Sequence, residues 1–390
     1  MTAKSHTTWI ELDRSALREN LRFLRSLSVS APGGAAPLLC VAVKGNAYGH
    51  GLREIVGALI KEPVDYIATH TLEDARVARN ARWRRGILSV GYHSLAETAE
   101  ALALGVEPTV YNLENLKAWA AAARAQGTVA QVHVKVETGT NRQGVSGKEL
   151  TELLQMIKRT RTLRLRGLST HFANIEDTTD HTFAMAQLKR FKAALRVCER
   201  LGLRPEIRHT AASAAHLVAP ETRFDMIRAG IAAYGYWPSR ETLVSFKHLN
   251  PSRNGERLLR PIVSLKSRIA QIKTIKRGES IGYGLTFRAE KRMRVALAPL
   301  GYWDGLPRAL SDGGYVLVGG RRAPLVGRVS MNNIVFDISG LRNVQLEDEI
   351  VALGRSGAEE ITIEQWASRS GTIHYESLTR LGAHLPRVIV

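Results

Sequence analysis

Up to about Trp237, short apolar runs alternate with longer segments whose apolar residues recur every three or four positions. The apolar runs read as strands: Leu38–Lys44, Val64–Thr69, Ile87–Val90, Pro108–Tyr111, Ala130–Val136, Leu163–Leu168, Glu206–His209 and Phe224–Arg228. Between them, Leu72–Arg82, Leu95–Leu104, Leu113–Gln126, Gly147–Arg159 and Ala184–Leu201 carry the spacing of helices with one buried face. Gly86, Gly105, Gly127, Gly202 and Pro205 punctuate the junctions. Regular strand and helix alternation predicts an α/β fold whose N-terminal part is a (β/α)8 TIM-like barrel. A doubly wound open sheet is the alternative, but no glycine-rich dinucleotide turn follows the first strand. In a barrel, chemistry gathers at the C-terminal ends of the strands, where Lys44, Arg142, His171, His209 and Arg228 fall.

Past Trp237 the pattern changes. Glu241–Arg257 is polar without clear periodicity and reads as a connector. Beyond it the runs are short and β-like: Ile262–Ile272, Met293–Ala298, Tyr315–Val318, Arg322–Arg328 and Ile334–Ile338. Gly313-Gly314 and Gly319-Gly320 offer turns. The expected organisation is a barrel over 11–245 followed by a mostly β C-terminal domain over 255–390. Trp9-Ile-Glu-Leu12 is also strand-like, so the N-terminal strand within 1–10 and just beyond is expected to join the second domain.

With 44% hydrophobic residues the chain has apolar material for a sizeable core. No apolar run reaches membrane-spanning length, and the polar N-terminus lacks a signal core, so a cytoplasmic location is expected. Cys40 and Cys198 cannot build a disulfide framework and show no metal-ligand spacing; no metal is expected. The +19 net charge raises the question of nucleic acid. The basic residues are dispersed, however, and aromatics are few, at 6%. A solvated surface is the favoured reading, with nucleic acid and membrane not expected as partners.

One stretch carries more chemistry than the rest: Val41-Ala-Val-Lys44-Gly-Asn-Ala-Tyr48-Gly-His-Gly51. A lysine at the mouth of a buried strand can lose water, and its pKa falls. Such an amine can form a Schiff base with an aldehyde, and pyridoxal 5'-phosphate is the commonest aldehyde cofactor. This run resembles the cofactor-lysine motif of alanine racemases, departing only at Ala42 and Gly45. The resemblance extends from Trp9 to Pro386. It implies a fold-type III, pyridoxal-phosphate-dependent isomerase that interconverts L- and D-alanine and supplies D-alanine for peptidoglycan. It also implies a homodimer with shared active sites and a small amino acid as substrate.

Residue by residue, the resemblance makes Lys44 the cofactor lysine and the base acting on the D-enantiomer. Tyr283, in Ser280-Ile-Gly-Tyr283-Gly, is the opposing base, reaching the other subunit's cofactor. Two bases on opposite faces of a planar carbon are what racemisation requires. His171 matches the histidine that hydrogen-bonds this tyrosine, and His209 the one that supports Arg228. Arg228 would face the pyridine nitrogen and, being reluctant to release a proton, keep that nitrogen unprotonated. Tyr48, Ser213, Gly230 and Ile231 match phosphate contacts. Arg142 matches the arginine that orients the substrate carboxylate, Lys135 a lysine often carbamylated to pair with it, and Met331 a substrate-facing backbone position.

Three pocket positions depart from the family pattern: Ala212 for an asparagine, Asn332 for an aspartate and Ala383 for a tyrosine. The last enlarges the pocket, so a broader-specificity racemase accepting serine or larger residues is the alternative. Three other functions compete. A pyridoxal-phosphate decarboxylase of this architecture would place a glutamate where Arg228 stands and a cysteine near the C-terminus. A non-enzymatic cofactor-binding barrel would lack the β domain, and a nucleic-acid-binding protein would show no cofactor absorbance.

Overall fold

The computed structural model describes residues 6–28, 36–253, 258–311 and 313–390. The chain forms two compact units. One comprises residues 16–44 and 55–260; the other comprises 1–15, 45–54 and 261–390.

Strand β1, Thr8–Leu12, precedes the larger unit and belongs to the other one. The larger unit is built on β2 (Leu38–Ala42), β3 (Tyr66–Thr69), β4 (Gly86–Ser89), β5 (Val106–Val110), β6 (Ala130–Lys135), β7 (Leu163–Ser169), β8 (Ile207–His209) and β9 (Met226–Ala229). All eight run parallel in the order β8-β7-β6-β5-β4-β3-β2-β9. Asp225 N–H donates to Arg208 O at 2.9 Å and Arg228 N–H to Ala211 O at 3.0 Å, joining the two ends of that order. The sheet is therefore a closed barrel. Strands followed by helices in a parallel sheet are covered on both faces, which is why β2 to β5 read as nearly continuous apolar runs. Val41, Ile67, Leu88, Val110 and Val134 are buried to the last per cent or two.

The connector expectation fails. Glu241–Arg257 is not an unstructured connector: Arg240–Leu249 is a helix, capped by Ser239 Oγ accepting from Thr242 N–H at 2.9 Å. Its buried face is Thr242, Ser245 and Phe246. Two hydroxyl residues occupy core positions, so a pattern of apolar residues alone does not reveal the period. Residues 254–257 lie outside the described residues.

The second unit carries β10 (Val263–Arg268), β11 (Gln271–Ile275), β12 (Ser280–Ile281), β13 (Phe287–Arg288), β14 (Met293–Ala298), β15 (Tyr315–Val318), β16 (Arg321–Pro324), β17 (Ile334–Asp337), β18 (Glu349–Ser356), β19 (Glu359–Ile361) and β20 (Arg387–Ile389). Its larger sheet has the order β16-β15-β18-β10-β1-β20, with β19 on β18; β11-β14-β17 form a smaller one. β1 is central, antiparallel to β10 and parallel to β20. The single run expected over Ile262–Ile272 is two strands in two sheets, turning at the buried Ile269. Gly319 and Gly320 make the hairpin turn, with φ of 54° and 78°, the positive values such a turn demands.

The stretch after β2 is a left-handed turn. Gly45, Asn46 and Ala47 have φ of 61°, 53° and 54°, and Tyr48 follows at 54°. Left-handed backbone costs an L-residue about 1–2 kcal/mol, and such strain concentrates at functional sites. The turn is held by Gly49 N–H to Gly45 O at 2.9 Å, Gly51 N–H to Asn46 O at 2.9 Å and Leu52 N–H to Asn46 Oδ1 at 2.8 Å. A Cβ on Gly49 would stand 1.9 Å from Leu378 O, whereas one on Gly45 would stand 3.8 Å from Thr379 Cγ2. Gly49→Ala therefore costs roughly 3 kcal/mol, combining overlap and backbone strain. Gly45→Ala costs about 1 kcal/mol from backbone alone. Denaturant unfolding of both variants tests this; equal midpoints would contradict it.

Candidate active site

Lys44 stands two residues beyond the end of β2, at the C-terminal mouth of the barrel. It keeps accessible surface, yet protein crowds its amine. That burial, with the cations of Arg142 and Arg228, lowers its pKa from the usual lysine value. Lys135, the last residue of β6, is held well below the ordinary range by burial, Arg228 and Arg142. His171, two residues past β7, is likewise pushed well down by burial and by Lys135, Arg228 and Arg142. The barrel mouth thus gathers Lys44, Lys135, Arg142, His171 and Arg228 within electrostatic reach. Among the described residues no carboxylate pairs with the side chain of Lys135, Arg142 or Arg228, although the Glu137 carboxylate accepts from the Arg142 backbone N–H and acts on Lys135 from nearby. A predominantly cationic cluster of this kind suits an anionic ligand, and it favours neutral amine and imidazole.

Arg228 lies on β9, almost wholly buried. Its Nη1 donates to His209 Nδ1 at 2.8 Å and to His209 O at 2.9 Å. Its Nη2 donates to Thr170 O at 2.9 Å and Thr210 O at 3.1 Å. These bonds occupy the Nη hydrogens and leave Nε–H uncommitted. Burial lowers the arginine to about 10, so it remains a cation at neutral pH. His209 closes β8 and is held well below its usual value by burial, Arg228 and His133.

Next to Arg228, Ser213 Oγ accepts from Gly230 N–H at 2.9 Å. That leaves the hydroxyl proton free to be donated. Ile231 starts a short turn, Ile231–Tyr234, whose first amides have no acceptor in a preceding turn. Tyr48 ends the left-handed turn, its ring centroid 6.2 Å from that of Tyr375.

Tyr283 and Met331 lie in the other unit. Tyr283 is 74% exposed in a short turn between Gly282 and Gly284, with φ of 76° and 73°. With Met331, Asn332, Tyr302 and Arg328 it lines a cavity of about 410 Å³. Met331 O accepts from Trp303 N–H at 3.0 Å. Arg328 was not foreseen from sequence, although a cation beside the tyrosine is what a base role calls for.

His133 and Glu107 were also missed. His133 Nδ1 is 2.9 Å from His209 Nε2, and His133 Nε2 is 2.9 Å from Glu107 Oε2. A signal existed: His133 and Lys135 are two apart on β6, hence on one face.

Residues 12–238 match the family described as alanine racemase, N-terminal domain, and residues 262–389 match alanine racemase, C-terminal domain. The chain belongs to the alanine racemase family. An alanine racemase of Syntrophobacter fumaroxidans is 36% identical over 375 residues, covering 96% of this chain and 95% of its own. One from Leptospira interrogans is 33% identical over 386 residues, covering 99% and 96%. Among solved structures, alanine racemase from Streptomyces coelicolor superposes with a TM-score of 0.87 at 34% identity, covering 98% of both chains. That of Clostridium difficile superposes with a TM-score of 0.89 at 30% identity, covering 99% and 96%. The barrel and mostly β unit are thus those of racemases, a class of isomerase.

The departures from the family pattern sit at accessible positions. Ala212 is the residue before helix Ser213–Val218 and makes no side-chain cap. Asn332 is exposed on the rim of the Tyr283 cavity. Ala383 is exposed, its carbonyl accepting from Arg387 Nη1 at 3.2 Å. Beside it His384 stacks on Trp303 with centroids 4.9 Å apart and bonds Asp304 Oδ1 at 3.0 Å. Among the described residues no acidic, cysteine and histidine cluster could hold a metal, and no helix is long and apolar enough to cross a membrane.

Proposed function

We propose that this chain is a pyridoxal-phosphate-dependent racemase that interconverts L- and D-alanine by two bases, working as a homodimer and supplying D-alanine for peptidoglycan. The observation that carries the reading is the cationic cluster at the barrel mouth, where the lowered Lys44 amine meets Arg228 with an uncommitted Nε–H. The donor set fits the cofactor: an amine for its aldehyde, a cation for its ring nitrogen, and hydroxyl and amide donors for its phosphate.

When bound, pyridoxal phosphate supplies the electron withdrawal that acidifies the substrate Cα–H. Lys44 would hold it covalently; its lowered pKa makes the neutral amine available for attachment and for taking the Cα proton of the D-enantiomer. Tyr283 of a second copy would hold or take the proton on the opposite face, with His171 as its hydrogen-bond partner. His171 suits that role because its lowered pKa keeps an acceptor nitrogen at neutral pH. Arg142 would orient the substrate carboxylate, supported by Lys135, with the Met331 backbone completing the rim. Ser213, Gly230, Ile231 and Tyr48 would hold the phosphate. Arg228, supported by His209, would present Nε–H to the ring nitrogen. As a cation that rarely yields its proton, it leaves that nitrogen unprotonated and restrains side reactions.

Lys135 makes no ion pair among the described residues, Glu137 acting on it only electrostatically, and its neutral amine suits carbamylation by carbon dioxide, which would give Arg142 an anion partner. A second reading rests on Ala383: a methyl group at the exposed position where the family carries a pocket tyrosine excludes larger side chains poorly, which favours serine or larger substrates beside alanine. Absorbance of the purified protein, followed by chiral analysis of L-alanine, L-serine and larger L-amino acids, tests both. The expected result is a protein-bound cofactor band with alanine and serine both racemised. Absence of the band and of racemisation would overturn the function; activity confined to alanine would remove the second reading alone.

A further inference from the structure

We infer that Glu107 is a positioning residue for Arg228, acting through His133 and His209 along a hydrogen-bond chain whose proton direction it sets. The inference rests on the reading of Arg228 as the residue that faces the cofactor ring nitrogen.

The chain crosses the barrel interior from β9 to β5. Arginine only donates, so the 2.8 Å bond from Arg228 Nη1 makes His209 Nδ1 an acceptor. A neutral His209 then carries its proton on Nε2, directed at His133 Nδ1, 2.9 Å away. His133 is left with its proton on Nε2, 2.9 Å from the Glu107 carboxylate. A donor at one end and an acceptor at the other thus fix both tautomers. Burial holds both imidazoles below their usual value, with Arg228 adding to the effect, which keeps them neutral.

Glu107 is itself fixed. Tyr66 OH donates to it at 3.0 Å, and the Arg166 guanidinium lies 3.6 Å away while donating to Tyr66 OH at 2.9 Å. Burial and Glu107 push the Tyr66 phenol up to about 12, so it stays a donor. Arg166 reaches this position because β7 bulges: Val132 pairs with Leu165 but His133 with Gly167, leaving Arg166 extra. Two glycines make the room. A Cβ on Gly167 would stand 2.0 Å from His133 Nδ1, and one on Gly86 2.2 Å from the Tyr66 ring.

Without the acceptor the direction is lost. A leucine at 107 leaves the His133 Nε2 proton unpaired in the interior, which is costly. Reversing the chain repairs that end but places a His209 Nδ1 proton against the Arg228 N–H, donor against donor. A glutamine keeps an acceptor oxygen and so keeps the direction.

The test uses ¹⁵N-histidine NMR on the full chain, with and without pyridoxal phosphate, for wild type, Glu107→Gln and Glu107→Leu. Wild type and Glu107→Gln are expected to carry His133 and His209 protons on Nε2. Glu107→Leu is expected to move His209 to a mixed or reversed state. In the same proteins, pyruvate formed from alanine, with its amino group left on the cofactor, is counted per racemisation. That ratio is expected to rise on the order of tenfold in Glu107→Leu and to stay near wild type in Glu107→Gln.

A His209 proton on Nδ1 in wild type, or a charged His209, overturns the inference. So does a folded Glu107→Leu with unchanged tautomers and ratio. If Glu107→Leu does not fold, the wild-type and Glu107→Gln tautomers decide, and their disagreement overturns it. A wild-type chain with the expected tautomers that neither binds pyridoxal phosphate nor racemises alanine defeats the proposed function and not the hydrogen-bond chain.

Discussion

A Lys44→Ala variant loses racemisation in both directions by on the order of 10⁴-fold or more, because attachment and one of the two bases vanish together. The same variant keeps its fold. Lys44 sits among Arg142 and Arg228, which with burial already lower its pKa, so removing the amine relieves repulsion rather than breaking a pair. Its melting temperature is expected to equal or exceed that of wild type freed of cofactor, and the cofactor absorbance band disappears. A retained band, or a loss of activity no larger than the loss of folded protein, would contradict the assignment of Lys44.

Tyr283→Phe is the second large effect. Within its own chain the side chain is 74% exposed, so deleting its hydroxyl leaves the fold of the chain intact. Cofactor binding through Lys44 persists. Racemisation falls by about 10²–10⁴-fold, the usual worth of a positioned acid or base. The fall is one-sided at the level of chemistry: the D-enantiomer still meets Lys44, while the L-enantiomer meets a phenyl ring. Steady-state racemisation, which falls equally in both directions because the enantiomers are equal in energy, checks the size of the loss, with the absorbance band as a control. A fall below about tenfold would mean that another group serves the second face.

How much of this was legible in the sequence depended on how local the physics is. The barrel strands show in the sequence because they are short and most are buried on both faces, although Arg164 and Arg208 face outward on β7 and β8. Met293–Ala298 and Tyr315–Val318 were read to the residue. Arg240–Leu249 was hidden because Thr242 and Ser245 fill core positions without being apolar. β18, Glu349–Ser356, central in the larger sheet, escaped although Ile350 to Leu353 is an apolar run. At the site, Lys44 announced itself by motif and His209 by its place at a strand end. The left-handed form of residues 45–48 did not show, since Ala47 and Tyr48 adopt it against their own preference. His133 and Glu107 could be flagged only as polar residues in strands. Their meaning arises when barrel closure brings β5, β6, β8 and β9 around one interior.

The central claim is that Lys44 and Tyr283 address opposite faces of the same Cα. Deuterium incorporation at Cα tests it most directly, with wild type and Tyr283→Phe incubated in D₂O with each alanine enantiomer separately. The account predicts that wild type labels both enantiomers. It predicts that Tyr283→Phe still exchanges the Cα hydrogen of D-alanine, with little L-product, while exchange from L-alanine falls with racemisation. Equal loss of exchange from both enantiomers, or exchange of L-alanine alone, would contradict it.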